Sequence, residues 1–383
     1  MGVIVEMMVY FDNSATTKLS KKVLSNISYN LANNFGNPSS LHTLGLNAEI
    51  LLEDSREIIA NALNTEKNSI YFTSSGTMAN NAAIFGAASA LKKRGNHVIT
   101  TSVEHPSVIN PFKKLESMGF NVTYITPTFN SEDLIKEVVD NITDDTILVS
   151  IMMVNNETGQ MLDVFKIADA VKQKNRLALF HTDAVQAFMK FKINLKNSNI
   201  DLLTFSGHKI HAPKGIAGLY IKKNTNIKPI IFGGKQENNI FPGTQNVCFA
   251  SALATSVTEL QPCMDEHFNH VLKLNDYLKE NLLDIKGSFI NSFKECSPYI
   301  ISLGIKGIKS EILLHYLSEK NIFVSSGSAC AKGEKSKALK AYGIDNSIID
   351  STVRISLSHY NNKNEIDYFL DALKKADKDI IKI

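Results

Sequence analysis

The stretch Asp201-Leu-Leu-Thr-Phe-Ser206-Gly-His208-Lys209-Ile-His-Ala-Pro-Lys-Gly215 decides how the rest of the chain is read. It opens as a short apolar run of strand type and breaks into small and polar residues that carry a lysine with His208 beside it. A lysine placed where a buried strand gives way to a loop is poorly hydrated. Desolvation lowers an amine's pKa, which is what a Schiff-base lysine requires. A solvated surface charge is the commoner meaning of a lysine, so the neighbouring sequence has to decide.

Outward from this stretch, strand and helix signatures alternate. Strands are predicted at 69–73, 97–101, 122–125, 146–154, 177–181 and 201–205, with helices at 79–91, 107–118, 131–141 and 163–174 between them. This rhythm predicts an α/β fold with a mostly parallel sheet covered on both faces. A helix over 43–63 precedes the first strand, with Leu44, Ala48, Leu51, Leu52, Ile58, Ile59 and Ala62 near helical spacing. After Gly218-Leu-Tyr-Ile-Lys the rhythm loosens into a long helical stretch at about 247–284 and then a sparser alternation that suits a smaller α+β domain.

At 383 residues the chain exceeds one ordinary core, so two domains are expected. A net charge of +3 argues against a nucleic-acid surface as the main business. The positive charge is almost all lysine: arginine occurs only at Arg56, Arg94, Arg176 and Arg354. Cys248, Cys263, Cys296 and Cys330 show no C-x-x-C pair and no zinc spacing, so no metal site is expected. No apolar run nears the roughly 18 residues of a membrane span. The segment Met1–Met8 lacks the basic-then-apolar pattern of a signal peptide, and residues 1–7 read as an extension. A soluble, cytoplasmic protein is expected.

In open α/β sheets ligands bind beyond the carboxyl ends of the strands, and polar residues recur at those ends here. Ser75-Gly76-Thr77 stands at a helix start, where free N–H groups favour a phosphate, although a simple helix cap explains it equally. His105 follows the next strand, Asn155-Asn156-Glu157 another, and His181-Thr-Asp183-Ala-Val-Gln186 another; Ser206, His208 and Lys209 close the set. A carboxylate at the end of an apolar strand is costly unless it is paired. Pyridoxal phosphate would use them all. It needs a lysine for the imine, an acid at the pyridine nitrogen, a ring against its face and a phosphate cradle.

Asp12-Asn-Ser-Ala-Thr-Thr17, Phe35-Gly-Asn-Pro-Ser39, Thr101-Ser-Val-Glu-His105, Val154-Asn-Asn-Glu157, His181-Thr-Asp-Ala-Val-Gln186 and Phe205-Ser-Gly-His-Lys209 resemble the cysteine desulfurases of the class V aminotransferase group. Ser325-Ser-Gly-Ser-Ala-Cys330 and Val353-Arg354-Ile-Ser-Leu extend the likeness over nearly the whole chain. The resemblance implies the type I fold of pyridoxal-phosphate-dependent transferases. A large cofactor-binding domain would span 16–258; residues 1–15 and 259–383 would form the small domain, with a mobile cysteine loop at about 325–338.

The resemblance also implies roles. Lys209 is the Schiff-base lysine, Asp183 pairs with the pyridine nitrogen, and Gln186 bonds the ring hydroxyl. His105 stacks on the ring and handles substrate protons; Thr77, Ser206 and His208 hold the phosphate. Thr244 reaches the phosphate of a neighbouring subunit, which implies a homodimer. Asn156, which also borders the cofactor, and Arg354 hold the substrate carboxylate, with Asn13 among the substrate-binding residues. In so arginine-poor a chain, an arginine inside an apolar strand independently suggests a bidentate carboxylate site.

The resemblance further implies that Cys330 is the nucleophile that takes sulfur from L-cysteine as a persulfide, releasing L-alanine. Its polar, lysine-bearing surroundings favour the thiolate. The resemblance implies that the sulfur passes to an acceptor protein, and the sequence leaves an iron–sulfur scaffold, a tRNA-thiolation enzyme and the thiamin pathway open. A selenocysteine lyase or another class V aminotransferase would share Lys209 and Asp183. The sequence departs from the group's pattern at Met78, Lys235, Asn238 and Phe241, and its segment after Cys330 is shorter than in the long-loop members.

Overall fold

The protein is described here by a computed structural model that covers residues 7–128, 131–292, 296–326 and 336–380. The strands in chain order are β1 (Val9–Tyr10), β2 (Ile70–Thr73), β3 (His97–Thr101), β4 (Asn121–Ile125), β5 (Thr146–Ser150), β6 (Leu179–Asp183), β7 (Leu202–Ser206), β8 (Ala217–Ile221), β9 (Ser288–Ile290), β10 (Ile300–Ile305), β11 (Ile322–Phe323), β12 (Ser325–Ser326) and β13 (Thr352–Ser356). The helices are α1 (Lys21–Asn33), α2 (Thr43–Ala62), α3 (Gly76–Leu91), α4 (Pro106–Ser117), α5 (Ser131–Asn141), α6 (Val164–Lys174), α7 (Val247–Leu260), α8 (Met264–Leu282), α9 (Ser310–Ser318), α10 (Lys337–Ala341), α11 (Asn346–Asp350) and α12 (Lys363–Asp379).

Two compact units emerge. The larger holds residues 17–154 and 162–264; the smaller holds 1–16, 155–161 and 265–383. The sequence reading divides the chain at 258/259, inside α7, and leaves 155–161 with the large domain. The observed division falls four residues past the end of α7, just beyond a one-turn helix at Gln261–Cys263. Pro262 lacks the N–H that a continuous helix would use there, so the single helical stretch expected over 247–284 becomes two.

The large unit is built on a seven-stranded sheet of order β2-β8-β7-β6-β5-β3-β4. β8 runs antiparallel to both of its neighbours and the other pairings are parallel, as the β-α-β rhythm predicts. Strands β3, β5, β7 and β8 are buried along their whole lengths, which is why they read as unbroken apolar or threonine runs rather than alternating ones. Helix α3 packs Ala79, Ala82, Ala83 and Ala87 into this core beside Val98, Phe112, Leu202 and Leu219, and its small side chains let it lie close to the sheet. Gly218 is required where it stands: a Cβ there would come 2.1 Å from the Phe205 ring on the neighbouring strand. In α2 the expected residues Ala48, Leu52 and Ile59 are buried, but Leu44 is exposed.

The small unit has a four-stranded antiparallel sheet, β12-β13-β10-β9, and a two-residue parallel pairing of β1 with β11. Helix α12 starts with a capping box between Asn362 and Glu365 and buries Ile366, Phe369 and Leu373. Phe369 meets Phe11 edge to face at 5.6 Å between ring centres.

Candidate active site

In the large unit the parallel strands deliver their last residues to one edge of the sheet. Asp183 ends β6 and is 6% exposed. Its Oδ2 accepts a hydrogen bond from Asn80 Nδ2 (2.7 Å) and its Oδ1 one from the Val185 backbone N–H (2.9 Å). Asn80 Nδ2 also donates to Ser107 Oγ at 2.8 Å, and Ser107 Oγ lies 2.7 Å from His105 Nδ1. His105 is the cap of α4, accepting the Ser107 N–H at 3.1 Å. Thus the acid and the ring named from sequence are joined by Asn80 and Ser107.

Ser206 ends β7 with its Oγ buried and without a hydrogen-bond partner among the described residues. Gly76, the first residue of α3, lies against it: a Cβ there would stand 3.6 Å from Ser206 Cβ and 3.1 Å from Val185 Cγ2. Ser75 caps α3 by accepting from Met78 N–H, and Thr77 is exposed in the first turn. Lys209 sits in the single helical turn Gly207–Lys209 that follows β7. This turn is pinned by Thr17, whose N–H and hydroxyl both donate to His208 O (2.9 and 3.0 Å) and whose Oγ1 accepts from the His211 N–H (2.7 Å). Burial pushes His208 down to about 4, helped by Lys209 and Lys214, so at neutral pH it offers an uncharged N–H. Gln186 is buried and accepts from Lys190 Nζ at 3.2 Å; Thr244 is exposed.

Pyridoxal phosphate fits these residues. An unspent buried hydroxyl at Ser206 adjoins a helix N-terminus kept open by Gly76, which suits a phosphate. Asp183, oriented by two donors, suits a protonated pyridine nitrogen.

Other polar residues of the quoted motifs are structural. His181 is fully buried between Ser150 Oγ (2.8 Å) and Thr204 Oγ1 (3.1 Å), and burial pushes it down to about 3. Glu104 accepts from Thr101 Oγ1 and Met152 N–H, both at 2.8 Å, and burial pushes its carboxyl up to about 8. Phe241 packs into the core of the large unit, and Asn238 and Asn239 take left-handed backbone (φ 50° and 65°), a conformation that asparagine tolerates better than most residues.

In the small unit Arg354 is 2% exposed. Its Nη1 donates to Asn156 O and its Nη2 to Asp12 Oδ1, both at 2.9 Å, and its Nε has no partner among the described residues. An incoming carboxylate is the kind of acceptor that Nε lacks. Asn13 spends its Nδ2 on the carbonyls of Ser356 (2.9 Å) and Tyr10 (3.2 Å), which ties the start of the chain to β13. Glu157 accepts from Ser336 Oγ, the cap of α10; burial pushes its carboxyl up to about 7. Cys330 lies outside the described residues.

The sequence alone points to no role for Asn80, Thr17 or Asp12. Asn80 carries a signal: an asparagine past the first turn of a buried, alanine-rich helix is a poor helix former with no capping role there. Among the described residues no group of three or more His, Cys, Asp or Glu is placed to hold a metal, and no helix is long and apolar enough to cross a membrane.

Comparison with known proteins bears on this geometry. Residues 9–369 match the Aminotransferase class-V family. The chain belongs to that family. Its members are pyridoxal-phosphate enzymes, and the seven-stranded sheet is the type I fold of that group. A curated cysteine desulfurase from Nostoc sp. is 37% identical over 370 residues, 96% of this chain and 92% of its own. A cysteine desulfurase IscS from Methanosarcina thermophila is 39% identical over 369 residues, 95% of this chain and 91% of its own. Among solved structures a NifS-like protein superposes with a TM-score of 0.92 at 34% identity, covering 98% of this chain and all of the other. SspA in complex with cysteine superposes with a TM-score of 0.80 at 30% identity, covering 92% of this chain and all of that one.

Proposed function

We infer that this class-V family member is a cysteine desulfurase that converts L-cysteine to L-alanine and keeps the sulfur as a persulfide on Cys330. The observation that carries the reading is end-to-end similarity, at 37% and 39% identity, to curated cysteine desulfurases. It is supported by a large unit whose Lys209, Asp183, Ser206 and Gly76 suit pyridoxal phosphate.

When bound, the cofactor supplies an electron sink for the substrate's Cα. Asp183 would hold the pyridine nitrogen protonated, Ser206 Oγ, His208 and the first turn of α3 at Thr77 would hold the phosphate, Gln186 would bond the ring hydroxyl, and His105 would stack on the ring. Arg354, with Asn156, receives the substrate carboxylate; Asn13, expected beside them, has its Nδ2 taken up by the Ser356 and Tyr10 carbonyls and holds the backbone there instead. Lys209 Nζ takes the Cα proton and returns one to the carbon that becomes alanine. The Cys330 thiolate forms a bond to the substrate sulfur as the Cβ–S bond breaks, and the electron pair of that bond stays with carbon, where a proton completes alanine. Atoms balance: thiol plus cysteine gives persulfide plus alanine.

A homodimer, with Thr244 reaching a neighbouring phosphate, is supported by exposed large apolar side chains crowded into one stretch of the large unit. Leu24, Leu31, Phe35, Leu41, Leu46 and Ile50 are all solvent-facing in the single chain, more than an isolated soluble surface usually carries. An acceptor protein for iron–sulfur assembly or tRNA thiolation, and a cytoplasmic setting, complete the proposal.

The test is to incubate the purified yellow protein with L-cysteine and quantify alanine and sulfide. Cys330→Ala should keep the cofactor colour and make neither product in quantity; wild-type alanine output from it would remove Cys330 from the reaction. Amino transfer to a keto acid without sulfide would point to an aminotransferase instead.

A further inference from the structure

The way His105 caps α4 fixes where its proton lies. The backbone N–H of Ser107 points at Nδ1 from 3.1 Å, and a backbone amide only donates, so Nδ1 presents its lone pair. Ser107 Oγ lies 2.7 Å from the same nitrogen. The direction of that second bond is set from the far end of the network. Asp183 Oδ2, 2.7 Å from the Asn80 amide, is a carboxylate oxygen and accepts, so the amide turns its NH2 group toward the acid. The other N–H of the same group goes to Ser107 Oγ at 2.8 Å, which leaves the serine proton for His105 Nδ1. Turning the amide over would bring its oxygen against the carboxylate. Asn80 keeps this orientation even though its own Oδ1 is buried without a partner among the described residues.

Two donors therefore converge on Nδ1, and the proton of the uncharged ring is on Nε2. We propose that His105 serves the reaction as a hydrogen-bond donor through Nε2–H and not as a base, with Asn80 and Ser107 as the positioning residues that hold it in that tautomer. This rests on the desulfurase reading above. With Nδ1 occupied and no lone pair on Nε2, the ring has nothing with which to take a proton from the substrate. It can hold an electron-rich atom of the bound cofactor or substrate without giving its proton up. Proton movement at the substrate carbons then falls to Lys209 Nζ.

The first test needs no cofactor and no turnover. Two-bond proton–nitrogen spectra of the cofactor-free protein carrying 15N-histidine, with His105 assigned by its loss in His105→Gln, should show the Nε2–H tautomer; an Nδ1–H pattern would overturn the proposal. In the cofactor-loaded enzyme, His105→Gln keeps an N–H donor that cannot titrate, and its alanine-forming kcat should stay within about 10-fold of wild type. His105→Phe keeps a ring without a donor and should lose about 100-fold or more, as when a preorganised donor is removed. Equal losses in both variants, or none in His105→Phe, would refute the donor role. A wild-type protein that makes no alanine from cysteine would defeat the desulfurase reading while leaving the tautomer result standing.

Discussion

Asp183 is held by one side-chain amide and one backbone N–H, so the amide is the part a substitution can remove. Asn80→Ala strips a donor from a buried carboxylate, and a hydrogen bond to a charged group is worth about 1.5–3 kcal/mol. Cofactor affinity should fall roughly 10- to 100-fold, read by titrating the cofactor-free protein with pyridoxal phosphate and following its absorbance. Unchanged affinity would mean that the backbone alone orients the acid. Glu104 gives a second prediction at this scale. Burial raises its folded pKa to about 8, with the nearby Asp183 charge adding to the rise and the Met152 and Thr101 donors opposing it. A raised carboxyl contributes stability that is present below its unfolded value of about 4.3 and is lost as pH rises through about 8. Glu104→Gln, which stays neutral, should therefore gain thermal stability relative to wild type as pH goes from 5 to 9. Parallel melting curves across that range would show the carboxyl ionised throughout.

At the scale of elements, the loop after β8 stores strain that one ion pair holds in place. Glu237, Asn238 and Asn239 are three successive non-glycine residues in left-handed backbone, with φ of 47°, 50° and 65°. The Glu237 carboxylate meets both terminal nitrogens of Arg56 on α2 at 2.8 Å and accepts the Phe72 N–H of β2 at 2.8 Å. Arg56 in turn donates to Ile70 O and lies over the Phe72 ring. Among the described carboxylates, removing Glu237 leaves the buried Arg56 guanidinium only the 3.1 Å contact of its Nε with the more exposed Glu53, so Glu237→Ala should cost about 3 kcal/mol in urea unfolding, the low end for breaking a buried pair. Replacing both partners, Arg56→Met with Glu237→Leu, should cost less than the single change. A single variant as stable as wild type would mean that the loop needs no clamp.

For the whole molecule, the apolar residues left exposed between Leu24 and Ile50 are the feature a single chain does not explain; Phe35 is 72% exposed and Leu31 61%. If a second copy covers them, Leu46→Glu with Ile50→Glu should shift sedimentation from dimer to monomer, with little change in the far-ultraviolet circular dichroism. A dimer of unchanged affinity would place the interface elsewhere.

The alternation of strands and helices, the parallel sheet and the polar residues at its strand ends are legible along the chain. Those signals are local: apolar runs, turn formers and caps lie within a few positions of one another, so Asp183, Ser206 and Lys209 could be read where they stand. What each of them touches is set only by folding. Asn80 meets Asp183 across 103 positions of sequence, Arg56 meets Glu237 across 181, and Arg354 is flanked by Asp12 across 342. The lone pair of His105, the neutral state of His208 and the raised carboxyl of Glu104 follow from burial and from donors brought together by folding, which no spacing along the chain encodes.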